Sequence, residues 1–113
     1  MMVATEDIGG VQVLRVDAVR LDSAVGTLIR NAVVSHLESK KKFALDITNV
    51  KLVDSGGLGS LVALLKSITA NQGRLVLVGM NKPVRMMFEL SRMDRQFVLV
   101  DDLNDALNLL EQA

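Results

Sequence analysis

The sequence contains no cysteine, no tryptophan and no tyrosine, and it has one proline and one histidine. Without cysteine the chain can form neither disulfides nor thiolate metal sites, and it has no thiol nucleophile. Because this composition is typical of cytosolic proteins, we expect a cytoplasmic location. Only three residues are aromatic, although half of the 113 residues are hydrophobic. The sequence therefore predicts an aliphatic core.

Net charge and long apolar segments are also lacking. Thirteen basic residues balance thirteen acidic ones, so the composition does not favour nucleic acid or an anionic membrane as partner. No apolar run approaches the ~20 residues that cross a bilayer, and we expect no membrane insertion. The first ten residues, MMVATEDIGG, do not resemble a signal peptide. We predict one domain covering residues 1–113.

Strand-like and helix-like segments alternate along the chain. Residues 2–8 and 11–17 flank Gly9-Gly10, which predicts a hairpin. Apolar spacings of three and four then predict a helix that begins at Asp22-Ser23 and ends near Lys40–Lys42, with His36 on its core-facing side. The remaining predicted strands cover residues 43–47, 74–79 and 97–100. The remaining predicted helices follow Gly56-Gly57, Asn81 and Asp101-Asp102, and Gly73 is expected as a left-handed residue ending the second helix.

This alternation predicts an α/β fold. We expect a mixed, mostly parallel sheet of four to five strands, with about four helices mainly on one face. Loops that follow neighbouring parallel strands meet at one edge of such a sheet, where helix amino ends also point. That edge is therefore the expected place for a functional site.

The stretch LVDSGGLGSLVALL, residues 52–65, carries a serine at the start of the second helix. Ser55 has four interpretations: a catalytic nucleophile, part of a phosphate-binding loop, a helix cap, or a residue modified by another protein. A nucleophile needs a general base, and His36 is the only histidine. The Gly-x-Ser-x-Gly elbow also fails, because residue 53 is Val. We therefore expect no enzyme activity and no catalytic residue.

The phosphate-loop interpretation is weak, and two others remain. The glycines after Ser55 are not followed by Gly-Lys-Ser/Thr, and the dinucleotide fingerprint lacks its third glycine. Asp54 or Ser55 can cap the helix by accepting hydrogen bonds from its first amides. Gly56-Gly57 leaves the Ser55 hydroxyl accessible, and the amides of the first turn can receive a phosphate. Helix capping and modification at this serine are therefore compatible.

An apolar strand followed by Asp-Ser-Gly-Gly-Leu-Gly and an amphipathic helix resembles the STAS domain, the family of bacterial anti-sigma factor antagonists. The likeness includes VLRVDAVRLDSA (13–24), FALDITNVKLVDSGGLGSLVALLKSI (43–68) and GRLVLVGMNKPVRMMFELSRMDRQFVLVDDLNDAL (73–107). Three positions depart from the family pattern. Gly56 stands where a second Ser or Thr is common, and Val19 and Arg92 stand where the family often has glycine.

The resemblance implies partner switching. An unphosphorylated antagonist of this kind binds an anti-sigma factor serine kinase and releases a sigma factor, and phosphorylation of the serine after the aspartate, here Ser55, switches it off. The expected partners are the kinase and a phosphatase that restores Ser55, and weak homodimerisation is left open. The alternative is a STAS subunit of a membrane lipid-transport complex or a stressosome-type scaffold. No cofactor and no metal site are expected.

We predict that the partner surface surrounds the amino end of the second helix. Six residues are candidates for contact with a partner: Asp22, Ser23, Asn49, Asp54, Leu58 and Ser60. Ser55 is the candidate phosphorylation site. Leu58 has a competing role in the hydrophobic core, because it continues the apolar spacing of the helix.

Overall fold

The computed structural model describes residues 2–111. The strands of its main sheet are β1 (Val3–Ile8), β2 (Val11–Val16), β4 (Lys42–Asp46), β6 (Arg74–Val78) and β7 (Val98–Val100). Two short strands, β3 (Arg20–Leu21) and β5 (Leu52–Val53), form a separate pair. The helices are α1 (Ser23–Val34), α2 (Ser55–Ala70), α3 (Lys82–Leu90) and α4 (Leu103–Glu111), with a short 3-10 helix at Met93–Arg95.

The main sheet is mixed and mostly parallel, as predicted. Its spatial order is β1-β2-β4-β6-β7, in which β1 and β2 are antiparallel and the other neighbours are parallel. The hairpin between β1 and β2 turns at Gly9 and Gly10, whose φ angles are +59° and +87°. Glycine adopts such angles without steric cost, and two successive positive angles match the twist of a two-residue hairpin.

Helices α1, α2 and α3 contribute to the main hydrophobic core on one face of the sheet, and α4 covers the other face. Strand side chains alternate between the faces. Phe43 and Leu45 therefore point into the main core, whereas Ala44 lies under α4 beside Ala106. The predicted helix distribution, mainly on one face, is confirmed. Within residues 2–111, no helix is both long enough and apolar enough to cross a membrane.

The predicted end of the first helix is wrong. Helix α1 ends at Val34, and residues 35–39 form turns from which His36 and Leu37 remain half-buried. Two of the three lysines contact other elements. Lys40 pairs with Asp7 of β1, and the Lys41 ammonium donates to the carbonyl of Asn71, the residue that ends α2, at 2.7 Å. The favourable meeting of positive charge with a helix carboxyl end therefore occurs at α2.

The predicted left-handed residue after α2 is displaced by one position. Gln72 has the positive φ angle, +63°, and Gly73 does not. Gly73 is instead needed for space, because a Cβ atom there would lie 2.9 Å from a methyl carbon of Ile68. Arg92, at a position where the family pattern favours glycine, adopts a φ of +62°, so the left-handed turn is preserved without glycine.

The start of α2 packs against the backbone of β3. A Cβ atom on Gly57 would lie 2.0 Å from the carbonyl oxygen of Leu21 and 2.7 Å from its carbonyl carbon. Backbone atoms cannot move aside as the end of a flexible side chain can. Glycine at this position is therefore required for the close approach of α2 to β3.

Gly57→Ala should destabilise the protein by about 1–3 kcal/mol or more, because the new methyl group overpacks this contact. Gly59→Ala is the matched control. Nothing lies within 4 Å of a Cβ at Gly59, and alanine in a helix is favoured over glycine by roughly 0.5–1 kcal/mol. Urea denaturation of both variants measures the two changes. Equal effects of the two substitutions would contradict this account of Gly57.

Candidate functional site

A two-residue parallel strand pair positions the candidate site. In this pair Arg20 lies opposite Leu52, and Leu21 lies opposite Val53. The backbone N–H of Asp54 donates to the Leu21 carbonyl at 3.3 Å, which extends the pairing towards α2. Each strand is followed directly by an Asp-Ser dipeptide and a helix. The register therefore brings two helix amino ends to the same place.

Aspartate caps both helices. Asp22 Oδ1 accepts from the Val25 backbone N–H at 2.9 Å in α1, and Asp54 Oδ1 accepts from the Gly57 N–H at 2.8 Å in α2. A side-chain oxygen at this position satisfies one of the amides that a helix start leaves without a partner. The cap of α2 is therefore Asp54 and not Ser55, which decides between the two candidates left open by the sequence.

The first turns of α1 and α2 are in contact. A Cβ atom on Gly56 would lie 3.4 Å from the Ser23 Cβ and 3.5 Å from the Ser23 backbone nitrogen. One turn further along, a Cβ on Gly26 would lie 2.3 Å from the Ser60 Cβ. The two helices approach closely because small residues face each other. A shallow groove remains between them, lined by Gly26, Thr27, Arg30, Gly56, Gly59, Ser60, Ala63 and Ser67.

Ser55 is the first residue of α2 and is exposed. Within residues 2–111 its hydroxyl makes no hydrogen bond, because the neighbouring Asp54 does the capping. Gly56, which follows it, is exposed and has no side chain to cover it. The Ser55 hydroxyl is consequently accessible from solvent.

An ion pair that the sequence analysis did not predict joins β3 to the start of α2. Arg20 Nη2 lies 3.0 Å from Asp54 Oδ2, with 58% and 31% of the two side chains exposed. The hydrogen bond from the Gly57 N–H, and after it the one from Arg20, hold the pKa of Asp54 below its ordinary value of 3.8. Both interactions favour the carboxylate, so Asp54 is charged near neutral pH.

The other predicted site residues differ in how close they come to Ser55. Ser60 is half-buried and donates to the Gly56 carbonyl at 3.0 Å, one turn into α2. Leu58 is half-buried and packs on the main core, as its competing role required. Asn49 is exposed in the turn after β4, and no hydrogen bond joins it to the start of α2 within residues 2–111. The structure thus brings Asp22, Ser23, Asp54 and Ser55 together, with Ser60 adjacent.

His36 cannot act as a base for Ser55. It lies beyond the end of α1, not on the helix as predicted. Ser55 lies beside the opposite end of the same helix, because Gly56 contacts Ser23. A helix of 12 residues is ~18 Å long, so the imidazole and the hydroxyl are separated by about that distance. Among residues 2–111, no group of three or more His, Asp or Glu side chains could hold a metal ion.

Arg20 and Gly26 were missed as site residues. An isolated glycine inside the helical apolar pattern of α1 is a signal for close packing, and it could have identified Gly26. Arg20 gave no such signal. Its partner Asp54 lies 34 residues away in the sequence, and only the strand pairing brings the two together.

Comparison with known proteins agrees with this geometry. The family model described as "STAS domain" matches residues 2–106. The chain belongs to the STAS domain family. A curated relative from Thermotoga maritima, named "Putative anti-sigma factor antagonist", is 33% identical over 66 residues, which are 58% of this chain and 58% of that protein.

Solved STAS structures share the fold over nearly the whole chain. A crystal structure of a protein of the same description from Thermotoga maritima has a TM-score of 0.82 at 25% identity and covers 97% of this chain and 95% of its own. The anti-sigma factor antagonist SpoIIAA in its unphosphorylated form has a TM-score of 0.74 at 16% identity, covering 98% and 99%. The Bacillus cell fate determinant SpoIIAA in its phosphorylated form has 0.72 at 18%, covering 94% and 96%.

The charge on Asp54 makes the stability of this STAS domain depend on pH. Because the pKa of Asp54 is lowered in the folded protein, its carboxylate stabilises the fold above the ordinary aspartate pKa of 3.8. That stabilisation disappears as the pH falls through the folded-state pKa. Asp54→Asn retains a capping oxygen but removes the charge. The variant should be less stable than the wild type at about pH 7, and the difference should shrink as the pH falls below the ordinary aspartate pKa of 3.8.

Urea denaturation at intervals from about pH 7 down to values below 3.8 measures the difference in the free energy of unfolding. Asp102→Asn is the matched control, since Asp102 accepts from the Asp105 N–H at the start of α4 at 2.9 Å but forms no ion pair within residues 2–111. A difference between wild type and Asp54→Asn that stayed constant across the whole range would contradict the assigned role of the charge.

Proposed function

We propose that this protein is an anti-sigma factor antagonist that binds an anti-sigma factor serine kinase and is switched off by phosphorylation of Ser55. The proposal rests on one observation above all: Asp54 caps α2 and leaves the Ser55 hydroxyl exposed and without a hydrogen bond within residues 2–111. A helix cap whose own hydroxyl were engaged would be a poor substrate. Membership of the STAS family and the name of the Thermotoga relative support the same function.

In the proposed reaction Ser55 is a substrate and not a catalyst. The kinase transfers the terminal phosphoryl group of ATP to Ser55 Oγ, the hydroxyl proton is lost, and ADP leaves. A phosphatase hydrolyses the phosphoserine to the free hydroxyl and inorganic phosphate. We accordingly assign no enzyme activity to this chain and place the cycle in the cytoplasm, where ATP-dependent kinases act on exposed serines.

The proposed kinase-binding surface surrounds the amino end of α2. Six residues compose it: Asp22, Ser23, Asn49, Asp54, Leu58 and Ser60. The contact between the first turns of α1 and α2 supports the inclusion of the first helix. Leu58 and Ser60 are half-buried and would contribute less area than the exposed members.

Phosphorylation would disrupt this surface without unfolding the protein. The phosphoryl group adds about −1.5 to −2 charges near neutral pH, next to the charged Asp54. Since Ser55 is exposed, the group can extend into water in the free protein. In a complex it must be buried against a surface that fits a hydroxyl. The free energy of binding, not of folding, therefore changes.

The alternative functions, a lipid-transport subunit or a stressosome-type scaffold, share the fold, so the fold does not separate them from the proposal. A transporter subunit has no need of a phosphoacceptor, so the exposed Ser55 favours the switch over the lipid-transport alternative. Binding measurements separate the switch from the scaffold.

The affinity for the kinase should depend on the state of Ser55. Burying an unpaired charge in an interface costs on the order of 2–5 kcal/mol of binding free energy. Phosphorylation should therefore weaken binding roughly 30- to several-thousand-fold. Ser55→Ala should bind as the wild type does and resist phosphorylation. Ser55→Asp should bind more weakly than the wild type. Titration calorimetry of these forms against the cognate anti-sigma kinase measures each effect, with circular dichroism as the control for folding.

Ser91→Ala is the matched control for loss of a serine hydroxyl. Ser91 ends α3 and is exposed, and because α3 follows a parallel strand, its end lies at the sheet edge opposite to Ser55. This variant should be phosphorylated and should bind like the wild type. Equal affinity of the kinase for phosphorylated and unphosphorylated protein would refute the switch and leave Asp54-Ser55 as a structural helix start.

A further inference from the structure

Arg20 is placed to respond to the proposed modification of Ser55. Its guanidinium lies at the start of α2, where Nη2 contacts Asp54 Oδ2 at 3.0 Å. Guanidinium carries five N–H donors in a planar fork. The structure uses one of them within residues 2–111, so the others are free to bind a second acceptor.

The backbone geometry brings the phosphoryl group within reach of Arg20. Asp54 and Ser55 are consecutive, with Cα atoms about 3.8 Å apart. Arg20 lies opposite Leu52 in the β3–β5 pair, and its side chain extends along the strand direction to Asp54. More than half of the Arg20 side chain, 58%, is exposed, so it can adjust its position to a new neighbour.

The negative charges around Ser55 favour the binding of a cation to a phosphate there. Two carboxylates, Asp22 and Asp54, cap the two helices that meet there. A phosphate on Ser55 would add up to two further negative charges beside them. Arg20 is the cation that already pairs with one of these carboxylates, and guanidinium binds phosphate oxygens in a bidentate manner.

We propose that Arg20 is the intramolecular counter-charge for the phosphoryl group on Ser55 and bridges that group to Asp54. This inference rests on the proposed function, since it concerns the phosphorylated state. Arg20 is a positioning residue in this role. It holds the phosphate against the protein's own surface.

Phosphorus NMR of protein carrying phosphoserine at position 55, incorporated during translation, tests the proposal without any kinase. A neighbouring cation stabilises the dianion, so the second pKa of the phosphate should be lower in the wild type than in Arg20→Gln by roughly half a unit to one unit. Arg20→Lys keeps the charge without the fork and should fall between the two. A purely structural role of Arg20 would not move this pKa.

Two matched variants test whether the change in the phosphate pKa comes from Arg20 itself or from the loss of any positive charge. Arg74→Gln removes the same charge at the amino end of β6, at the sheet edge opposite to Ser55. Arg30→Gln removes the arginine that lines the groove between α1 and α2. Both should titrate within about 0.2 units of the wild type, because the larger separation and solvent screening weaken their effect. Circular dichroism should show all variants folded, since exposed ion pairs contribute little to stability.

The same phosphate pKa in the wild type and Arg20→Gln would overturn the proposal. So would a shift in Arg74→Gln or Arg30→Gln as large as that in Arg20→Gln. These results are independent of kinase binding. If calorimetry showed no effect of phosphorylation on kinase binding, the switch would be refuted, but the Arg20–phosphate contact could still be measured by NMR. If calorimetry showed the effect and NMR showed no pKa shift in Arg20→Gln, the switch would stand and the role of Arg20 would be refuted.

Discussion

The close approach of Gly57 to the Leu21 carbonyl is the contact on which the rest of the site depends. It allows the start of α2 to lie directly against β3, with no side chain between them. The Asp54 N–H then reaches the same carbonyl, and the short pairing of β3 with β5 is completed. Without this approach, neither the adjacency of the two helix starts nor the contact between Arg20 and Asp54 could form.

Ser55 is accessible because its neighbour Asp54 caps the helix. Asp54 accepts a hydrogen bond from the Gly57 N–H and pairs with Arg20, so capping of α2 does not require the Ser55 hydroxyl. Asp22 likewise caps α1 beside the exposed Ser23, but without an ion pair within residues 2–111. A residue that stabilises the start of α2 is therefore adjacent to an exposed serine whose hydroxyl the fold does not use.

The lysines after α1 show how a correct physical principle can be applied to the wrong element. Positive charge does favour a helix carboxyl end, and the three lysines did follow a helix in the sequence. The helix whose carboxyl end Lys41 contacts is α2, through the carbonyl of Asn71, because β4 begins at the side of the protein where α2 ends. Proximity in the sequence suggested that the lysines stabilise the carboxyl end of α1. The sheet topology instead places Lys41 at the carboxyl end of α2.

The sequence by itself determined the element order, the mixed parallel sheet, the hairpin at Gly9-Gly10 and the caps Asp22 and Asn81, because these depend on local periodicity and on side chains that bond within one turn. Family membership also followed from the motif around Ser55. Tertiary structure alone decided that Asp54 is the cap of α2, and that Arg20 pairs with it across 34 residues. The physical reason is that the register of a two-residue strand pair depends on the packing of α2 against β3. No periodic signal in the sequence encodes that packing.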